Sequence, residues 1–299
     1  MIRKKRGRPL WSPTVASTGW SESTLAERDW AAARGAAVRW AVAGALFGIV
    51  FGFVLFAPAA WLASALASAS GERLILADAR GTVWSGSATA VLTGGPQSRD
   101  ASFLPGRVEW TLSPRLYGAE LAVRQDCCIN GMALVQIRPG FNRMRATLVS
   151  PAGAVGQWPN AWLGGLGTPW NTLQLGGNVR LVSPGVTTIE QVEGRWRMDG
   201  RIDLELEAVS SRLTTLDTLG SYKVTLTGAG GSTGTGGATL LSVSTTDGAL
   251  QLTGSGTWGP GGVKFRGEAR SAAVDEAALS NLLNIIGRRD GARSIISIG

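Results

Sequence analysis

The distribution of apolar and charged positions divides the chain near its N-terminus. From Trp40 to Ser70 the sequence contains no charged residue, and the stretch Trp40–Trp61 reads WAVAGALFGIVFGFVLFAPAAW. A helix of this length spans about 33 Å at ~1.5 Å per residue, and the hydrocarbon layer of a membrane is ~30 Å thick. The tryptophans at both ends match the aromatic belts of membrane interfaces. The pattern therefore predicts a transmembrane helix over residues 40–62.

Large apolar side chains and flanking charges complete the predicted anchor. The side chains expected to contact lipid are Trp40, Leu46, Phe47, Ile49, Val50, Phe51, Phe53, Val54, Leu55, Phe56 and Trp61. Arg34 and Arg39 precede the stretch, whereas the first charges after it include Glu72 and Asp78. Because basic residues accumulate on the cytoplasmic side of a span, these two arginines set the topology. We expect a cytoplasmic N-terminus and export of everything after about residue 70.

A cleaved signal peptide is the alternative interpretation of this stretch. Small residues at 63–65 and 67–69 would suit a cleavage site. However, residues 1–39 precede the apolar run, and the run exceeds the ~7–15 residues usual for a signal peptide. The uncleaved anchor is favoured. It divides the chain into a basic cytoplasmic segment (1–39), the transmembrane helix (40–62) and a periplasmic domain (63–299).

Beyond the anchor, short apolar runs alternate with turn residues. Arg201–Glu207 alternates apolar and charged positions, as a half-buried strand does, and Asp-Gly pairs such as Asp247-Gly248 mark hairpins. The predicted strands are Thr82–Val91, Arg107–Leu112, Leu121–Arg124, Met132–Ile137, Met144–Val149, Leu173–Val182, Ile202–Glu207, Tyr222–Leu226, Ala238–Val243, Ala249–Thr253 and Val263–Glu268. A terminal strand is predicted over Ser294–Ile298. The domain is predicted to be mainly β, an antiparallel meander or curved sheet.

One late segment has the spacing of a helix. Leu279, Leu282, Leu283 and Ile286 recur at three- and four-residue intervals. Asp275 precedes them as a candidate N-cap, and Gly287 follows where a helix commonly ends. The sequence therefore predicts a short C-terminal helix.

Composition excludes several kinds of chemistry. The chain has no histidine, so it lacks the base of a Ser-His-Asp triad and the ligands of two-histidine zinc sites. With only 2 cysteines, a four-thiolate metal site is excluded as well. No clustered pair of carboxylates stands out. We expect no catalytic, cofactor-binding or metal-binding residues, and no enzyme activity.

The net charge of +8 lies mostly at the N-terminus, where residues 1–39 carry eight basic and three acidic residues. Because the rest of the chain is nearly neutral, the charge does not indicate nucleic-acid binding. Gly254–Gly259 fits G-x-G-x-x-G, but a predicted strand follows instead of a helix, so a dinucleotide site is not expected. Gly230–Gly234 fits G-x-S-x-G without any histidine to activate the serine.

Cys127 and Cys128 are adjacent, in a compartment that permits disulfides. Neighbouring Cα atoms lie ~3.8 Å apart, closer than in most disulfides. Three interpretations stay open: two free thiols, a strained redox-sensitive pair, or a bridge between molecules. We expect a structural or intersubunit role, and the function of this thiol pair is not assigned.

The chain resembles the protein N family of the bacterial type II secretion system over roughly residues 40–299. The segments that carry the resemblance are Ala79–Gly86, Leu112–Pro114, Leu216–Tyr222, Phe265–Ala269 and the closing run Asn281–Gly299. The resemblance implies a single-span protein of the bacterial inner membrane with a periplasmic β-rich domain and no active site. It implies an accessory structural component that binds the secretion platform proteins C, L and M during export of folded periplasmic proteins.

The exported part is also similar in style to the AsmA-like envelope proteins. That similarity implies the alternative function, a lipid-binding or lipid-handling protein with phospholipid as its ligand. Apolar alternation along strands does not distinguish a ligand groove from a closed core. The sequence is therefore compatible with both functions.

Overall fold

A computed structural model describes residues 19–149, 153–168, 170–192, 195–228, 238–259 and 262–299, with side chains from Ala37 onward except those of Arg195 and Ala273. The chain forms two compact units, Met1–Phe56 and Ala57–Gly299. The first unit contains helix α1, Gly19–Leu55. Within it, Ala37–Leu55 is long and apolar enough to cross a membrane. The basic run Arg3–Arg8 lies outside the described residues.

The candidate span ends earlier than the sequence predicts. Helix α1 stops at Leu55, and a separate helix α2 covers Ala59–Ala69 after Pro58, which adopts an extended conformation. Proline lacks a backbone N–H and disfavours helix at the residue before it. The predicted helix over 40–62 is thus wrong at its C-terminal end. Phe56 lies between the two helices, and Trp61 belongs to α2.

The second unit is built mainly from antiparallel strands. The strands are β1 (Leu74–Gly81), β2 (Ser85–Thr93), β3 (Ala101–Phe103), β4 (Val108–Arg115), β5 (Gly118–Arg124), β6 (Ala133–Gly140), β7 (Arg143–Leu148), β8 (Gly153–Pro159), β9 (Leu175–Ser183), β10 (Thr187–Val192), β11 (Arg195–Asp199), β12 (Arg201–Ser211), β13 (Gly220–Thr227), β14 (Thr239–Asp247), β15 (Leu250–Gly259), β16 (Gly262–Ser271), β17 (Arg288–Asp290) and β18 (Arg293–Ile298). A 3-10 turn (Asn160–Leu166), helix α3 (Trp170–Leu173) and helix α4 (Glu276–Ile286) complete it. The mainly β prediction is confirmed.

The strands form two nine-stranded sheets instead of one. The first sheet has the order β1-β2-β4-β5-β6-β7-β10-β11, with β3 beside β2. The second sheet has the order β17-β18-β16-β15-β14-β13-β12-β9-β8. Neighbours in sequence are mostly neighbours in space, which is the meander that the alternating pattern predicts.

The chain crosses between the sheets where β9 continues into β10 and β11 returns into β12. The turn at Gly200 has a positive φ of +101°, a conformation that favours glycine. Beside it, the buried Thr187 hydroxyl donates a hydrogen bond to the Arg201 carbonyl at 3.0 Å. This ribbon makes the two sheets parts of one unit.

Two small cores stabilise the unit. In the first, α4 packs Leu279, Leu282 and Leu283, all at most 1% exposed, against Tyr222 and Leu250 of the second sheet. In the second, Ala59 of α2 packs with Ala88 and Trp110 of the first sheet. The C-terminal helix is thus confirmed where its apolar spacing predicts it.

The ends of α4 differ from the expectation. Asp275 occupies the N-cap position, but its side chain makes no capping hydrogen bond. Gly287 has an extended backbone with φ of −171° instead of the left-handed conformation. Because β17 begins at Arg288, the chain leaves the helix directly into a strand.

Candidate functional site: an apolar cavity between the sheets

An apolar cavity of about 820 Å³ lies inside the second unit. Both sheets, α2 and the segment around the 3-10 turn contribute to its wall. Its volume lies within the ~300–1,000 Å³ typical of small-molecule sites. Among the described residues, this cavity is therefore a candidate ligand site.

The second sheet supplies one wall through the period-two pattern of its strands. Strand register places Leu181, Leu204, Val224 and Val243 in one row across β9, β12, β13 and β14, and all four line the cavity. In the same row β15 carries Gly254, where a Cβ atom would overlap the ring of Phe265 from β16. The glycine therefore makes room for an aromatic ring in the wall.

The opposite face of the same sheet is polar. Asp203, with its side chain only 6% exposed, lies 2.9 Å from Arg201 and 3.1 Å from Lys223. Burial alone would raise the pKa of Asp203, but hydrogen bonds from Arg201, Thr225 and Lys223 outweigh it and lower the pKa below its ordinary value. Hydrogen bonds to Asp203 and Glu205 raise the pKa of Lys223. This polar face is the solvent-facing side, so the apolar row must face inward.

The first sheet and the helical segments supply other parts of the lining. Leu76, Trp110 and Leu121 face the cavity from β1, β4 and β5. Leu62 and Leu66 of α2 join them. The helix that follows the candidate span is therefore part of the cavity wall.

Three of the four tryptophans that line the cavity donate their indole N–H groups to protein acceptors. Trp110 donates to the Val83 carbonyl at 3.2 Å, and Trp162 donates to the Ser102 carbonyl at 3.1 Å. Trp158 donates to the side chain of Gln125 at 3.4 Å. Since an indole has a single donor, these rings offer the cavity only carbon surface. Trp170 is the most exposed of the lining tryptophans, at 38%.

Gln125 is the one lining residue with a polar side chain that is not an indole. It is 2% exposed, and its amide nitrogen donates to the Pro105 carbonyl at 3.0 Å while its oxygen accepts from Trp158. Both ends of the amide are therefore engaged. A ligand in this cavity therefore meets mainly apolar surface, and Gln125 is already paired within the protein.

The predicted thiol pair lies beside this wall, in a segment that we call the cysteine loop (Gln125–Gly131). Cys127 and Cys128 are joined by a disulfide. The loop is tied to β8: the Gln157 N–H donates to the Cys128 carbonyl at 2.7 Å, and the Asn130 N–H donates to the Val155 carbonyl at 2.9 Å. Of the three interpretations given above, the structure contains the one in which the two cysteines are bonded to each other within one chain. The disulfide lies where β8 of the second sheet contacts a loop of the first sheet.

The remaining predicted site residues that the structure describes are not among those that line the cavity. The anchor residues from Trp40 to Leu55 lie in α1, and their large apolar side chains are exposed. Arg39 also lies in α1, whereas the side chain of Arg34 is outside the described set. Gly254–Gly259 forms part of β15 and is followed by β16, so no helix begins there. The G-x-S-x-G match at Gly230–Gly234 falls outside the described residues.

Comparison with protein families identifies the second unit. The model of the family described as type II secretion system, protein N, matches residues 72–296. The chain belongs to this family. Membership makes it a component of the type II secretion system, a protein-transport assembly, and the candidate span fits a membrane-anchored member. No curated protein and no solved structure was found to match the chain.

Sequence reasoning missed the cavity residues as a site. Their signal, alternation of apolar positions, is present in the strands, for example in Leu204 and Leu206 of β12. Alternation gives the face of a strand but not the distance to the opposing sheet. The cavity could not be predicted because it depends on which strands pair, and this pairing divides the meander into two sheets that both line the cavity.

Proposed function

We propose that this protein N family member is an accessory structural component of the inner-membrane assembly of the type II secretion system. It acts by binding other proteins and not by catalysis. The supporting observation is the extent of the family match, residues 72–296, which coincides with the β unit that follows the candidate span. The anchor keeps the unit at the inner membrane, with the N-terminus cytoplasmic and the bulk periplasmic. The proposed partners are the platform proteins C, L and M.

Sheet edges provide a mode of binding. Among the described strands, β11 ends the first sheet, and its Trp196 is 45% exposed. An edge strand presents unpaired backbone groups to which a partner can add a strand. We expect partner proteins to contact this edge.

Site-specific crosslinking in native membranes tests the proposal. A photoreactive amino acid replaces Trp196 on the edge strand, and the matched control carries it at the exposed Thr253 of the interior strand β15. We expect secretion-platform proteins among the adducts of the first variant and few among those of the second. If neither variant, nor whole-chain crosslinking, captures a secretion protein, the accessory role is refuted.

Lipid handling is the second candidate function, and the apolar cavity is the observation that favours it. The hydrocarbon part of a lipid is stabilised by apolar surface, and this cavity supplies such surface. The test is mass spectrometry of lipids that co-purify with the tagged full chain in mild detergent at native expression. Absence of phospholipid from that sample would contradict this second function and leave the first untouched.

A further inference from the structure

We propose that the cavity holds the hydrocarbon chain of a membrane lipid and leaves the polar headgroup outside. The inference rests on the lipid-handling candidate and specifies which part of the lipid is recognised, and where. It starts from the hydrogen bonds of the wall. The indole groups of Trp110, Trp158 and Trp162 and the amide of Gln125 are satisfied by protein partners, so a polar headgroup inside would lose its hydration without replacement.

The same wall disfavours a peptide as the occupant. Every residue of an extended peptide brings a backbone N–H and C=O that need hydrogen-bond partners. The lining strands β9, β12, β13 and β14 already pair with each other inside the second sheet. An apolar chain has no hydrogen-bond donors or acceptors. It can therefore bind to this surface without leaving polar groups unpaired. Water is a poor occupant for the same reason, because it too needs polar partners.

The covalent path from the candidate span to the wall is short. Phe56–Pro58 separate Leu55, the last residue of the span, from α2, and α2 supplies Leu62 and Leu66 to the lining. Helix α2 is itself apolar and has only serines as polar residues. The link between the candidate span and a helix that lines the cavity is thus three residues long. This argues for a membrane lipid as the source of the hydrocarbon.

One lining residue of the cavity lies next to a packed core. Leu206 lines the cavity and also packs against the core in which α4 buries Leu279, Leu282 and Leu283. Because protein cores are close-packed, we expect the hydrocarbon chain not to extend past Leu206 into this core. The methyl end of the chain is expected here, and the position of the core limits the chain length that fits.

Photocrosslinking with a lipid probe tests the inference in the full chain. Cells are fed palmitic acid that carries a diazirine near its methyl end, which enters their phospholipids, and are irradiated before purification. Peptides from α1 should be labelled in any case, since the candidate span contacts lipid, and they serve as the internal reference. We expect additional adducts on peptides that contain Leu206 or Val243. The adduct mass distinguishes free fatty acid from phospholipid.

Two cavity-filling substitutions and one matched control make the test specific. Val243→Trp fills the cavity, and Val224→Phe is a smaller change for the case in which the first variant does not fold. Ser244→Trp places the same indole on the exposed face of β14. We expect the filling variants to reduce cavity labelling relative to α1 by about tenfold, since each displaced methylene contributes to affinity. The control should label like the wild type.

Each outcome has a separate consequence. Labelling confined to α1 in the wild type, or cavity labelling that both filling variants leave unchanged, overturns the inference. If phospholipid co-purifies together with either result, lipid handling is still supported, but the lipid must bind at a surface other than the cavity. A peptide recovered from the cavity in place of lipid also overturns it. Secretion-protein crosslinks at Trp196 bear on the accessory role alone.

Discussion

Asp203 illustrates how a single buried charge fixes which face of the second sheet meets solvent. Its carboxylate accepts a hydrogen bond from the Thr225 hydroxyl at 2.9 Å and pairs with Arg201 and Lys223. This carboxylate is stable on the polar face of the sheet, where its partners lie, because burying a carboxylate without a charged partner is costly. The adjacent Leu204 then has to face the cavity.

We predict that Asp203→Asn destabilises the unit by about 2 kcal/mol at neutral pH, because Arg201 and Lys223 lose their charged partner. The lowered pKa of Asp203 means that its contribution is present above the unfolded pKa of ~3.9 and is lost as the pH falls through the folded pKa. The wild type should therefore lose stability below about pH 4, and the variant should lose less. Denaturant unfolding of the full chain in detergent at several pH values measures this.

The control for this prediction is Asp126→Asn. The Asp126 side chain is 89% exposed and lies 3.5 Å from Arg124, and exposed ion pairs contribute little. Its stability and pH dependence should match those of the wild type. Equal effects of the two substitutions would show that the Asp203 cluster has no special role.

Helix α4 packs on the second sheet through a buried core, and its two faces give a matched pair of variants. Leu283 is fully buried, whereas Ile285 is 42% exposed. We predict that Leu283→Ala lowers the free energy of unfolding by about 2–5 kcal/mol, as large-to-small core substitutions do. Ile285→Ala should cost well under half as much. Thermal unfolding followed by circular dichroism compares them, and similar losses would mean that α4 is not docked as described.

The cysteine loop is a second element with a measurable role. Its disulfide restrains a segment that joins β8 of the second sheet to the first sheet through hydrogen bonds of Cys128 and Asn130. We predict that replacing both cysteines by serine costs roughly 1 kcal/mol, the loop-entropy value for so short a closure. Unfolding midpoints measure the cost, and mass spectrometry after alkylation reports the bond. Alkylation of the native protein without prior reduction would contradict the intramolecular disulfide.

The elements differ in how far the sequence could predict them. Strands with strict alternation, such as Ile202–Glu207 within β12, and helix α4 with its leucine spacing were found. Strand β1 was missed because its charges at Asp78 and Arg80 interrupt the apolar pattern. The predicted strand Thr82–Val91 merged β2 with a turn in which the Ser85 N–H donates to the Thr82 hydroxyl at 3.1 Å. Such turns depend on local hydrogen bonds that periodicity does not report.

At the scale of the whole molecule, the sequence predicts the family and the β class but not the apolar cavity. The cavity depends on pairings between residues distant in sequence, such as the bridge between Ile129 and Gly156 that brings β8 to the cysteine loop. No local pattern encodes that contact. The end of the span at Leu55, in contrast, was readable from Pro58, since proline interrupts helices.

The topology of the whole chain decides which partners the β unit can meet. Basic residues precede the span, so we expect residues before it to be cytoplasmic and the β unit to be periplasmic. Phe141 is fully exposed at the turn between β6 and β7. In a variant with both native cysteines replaced by serine, Phe141→Cys should react with a membrane-impermeant maleimide in intact cells whose outer membrane has been permeabilised. Ser23→Cys should react only after the inner membrane is broken. The reverse order of labelling would place the β unit in the cytoplasm. The β unit could then not contact the periplasmic parts of the secretion assembly.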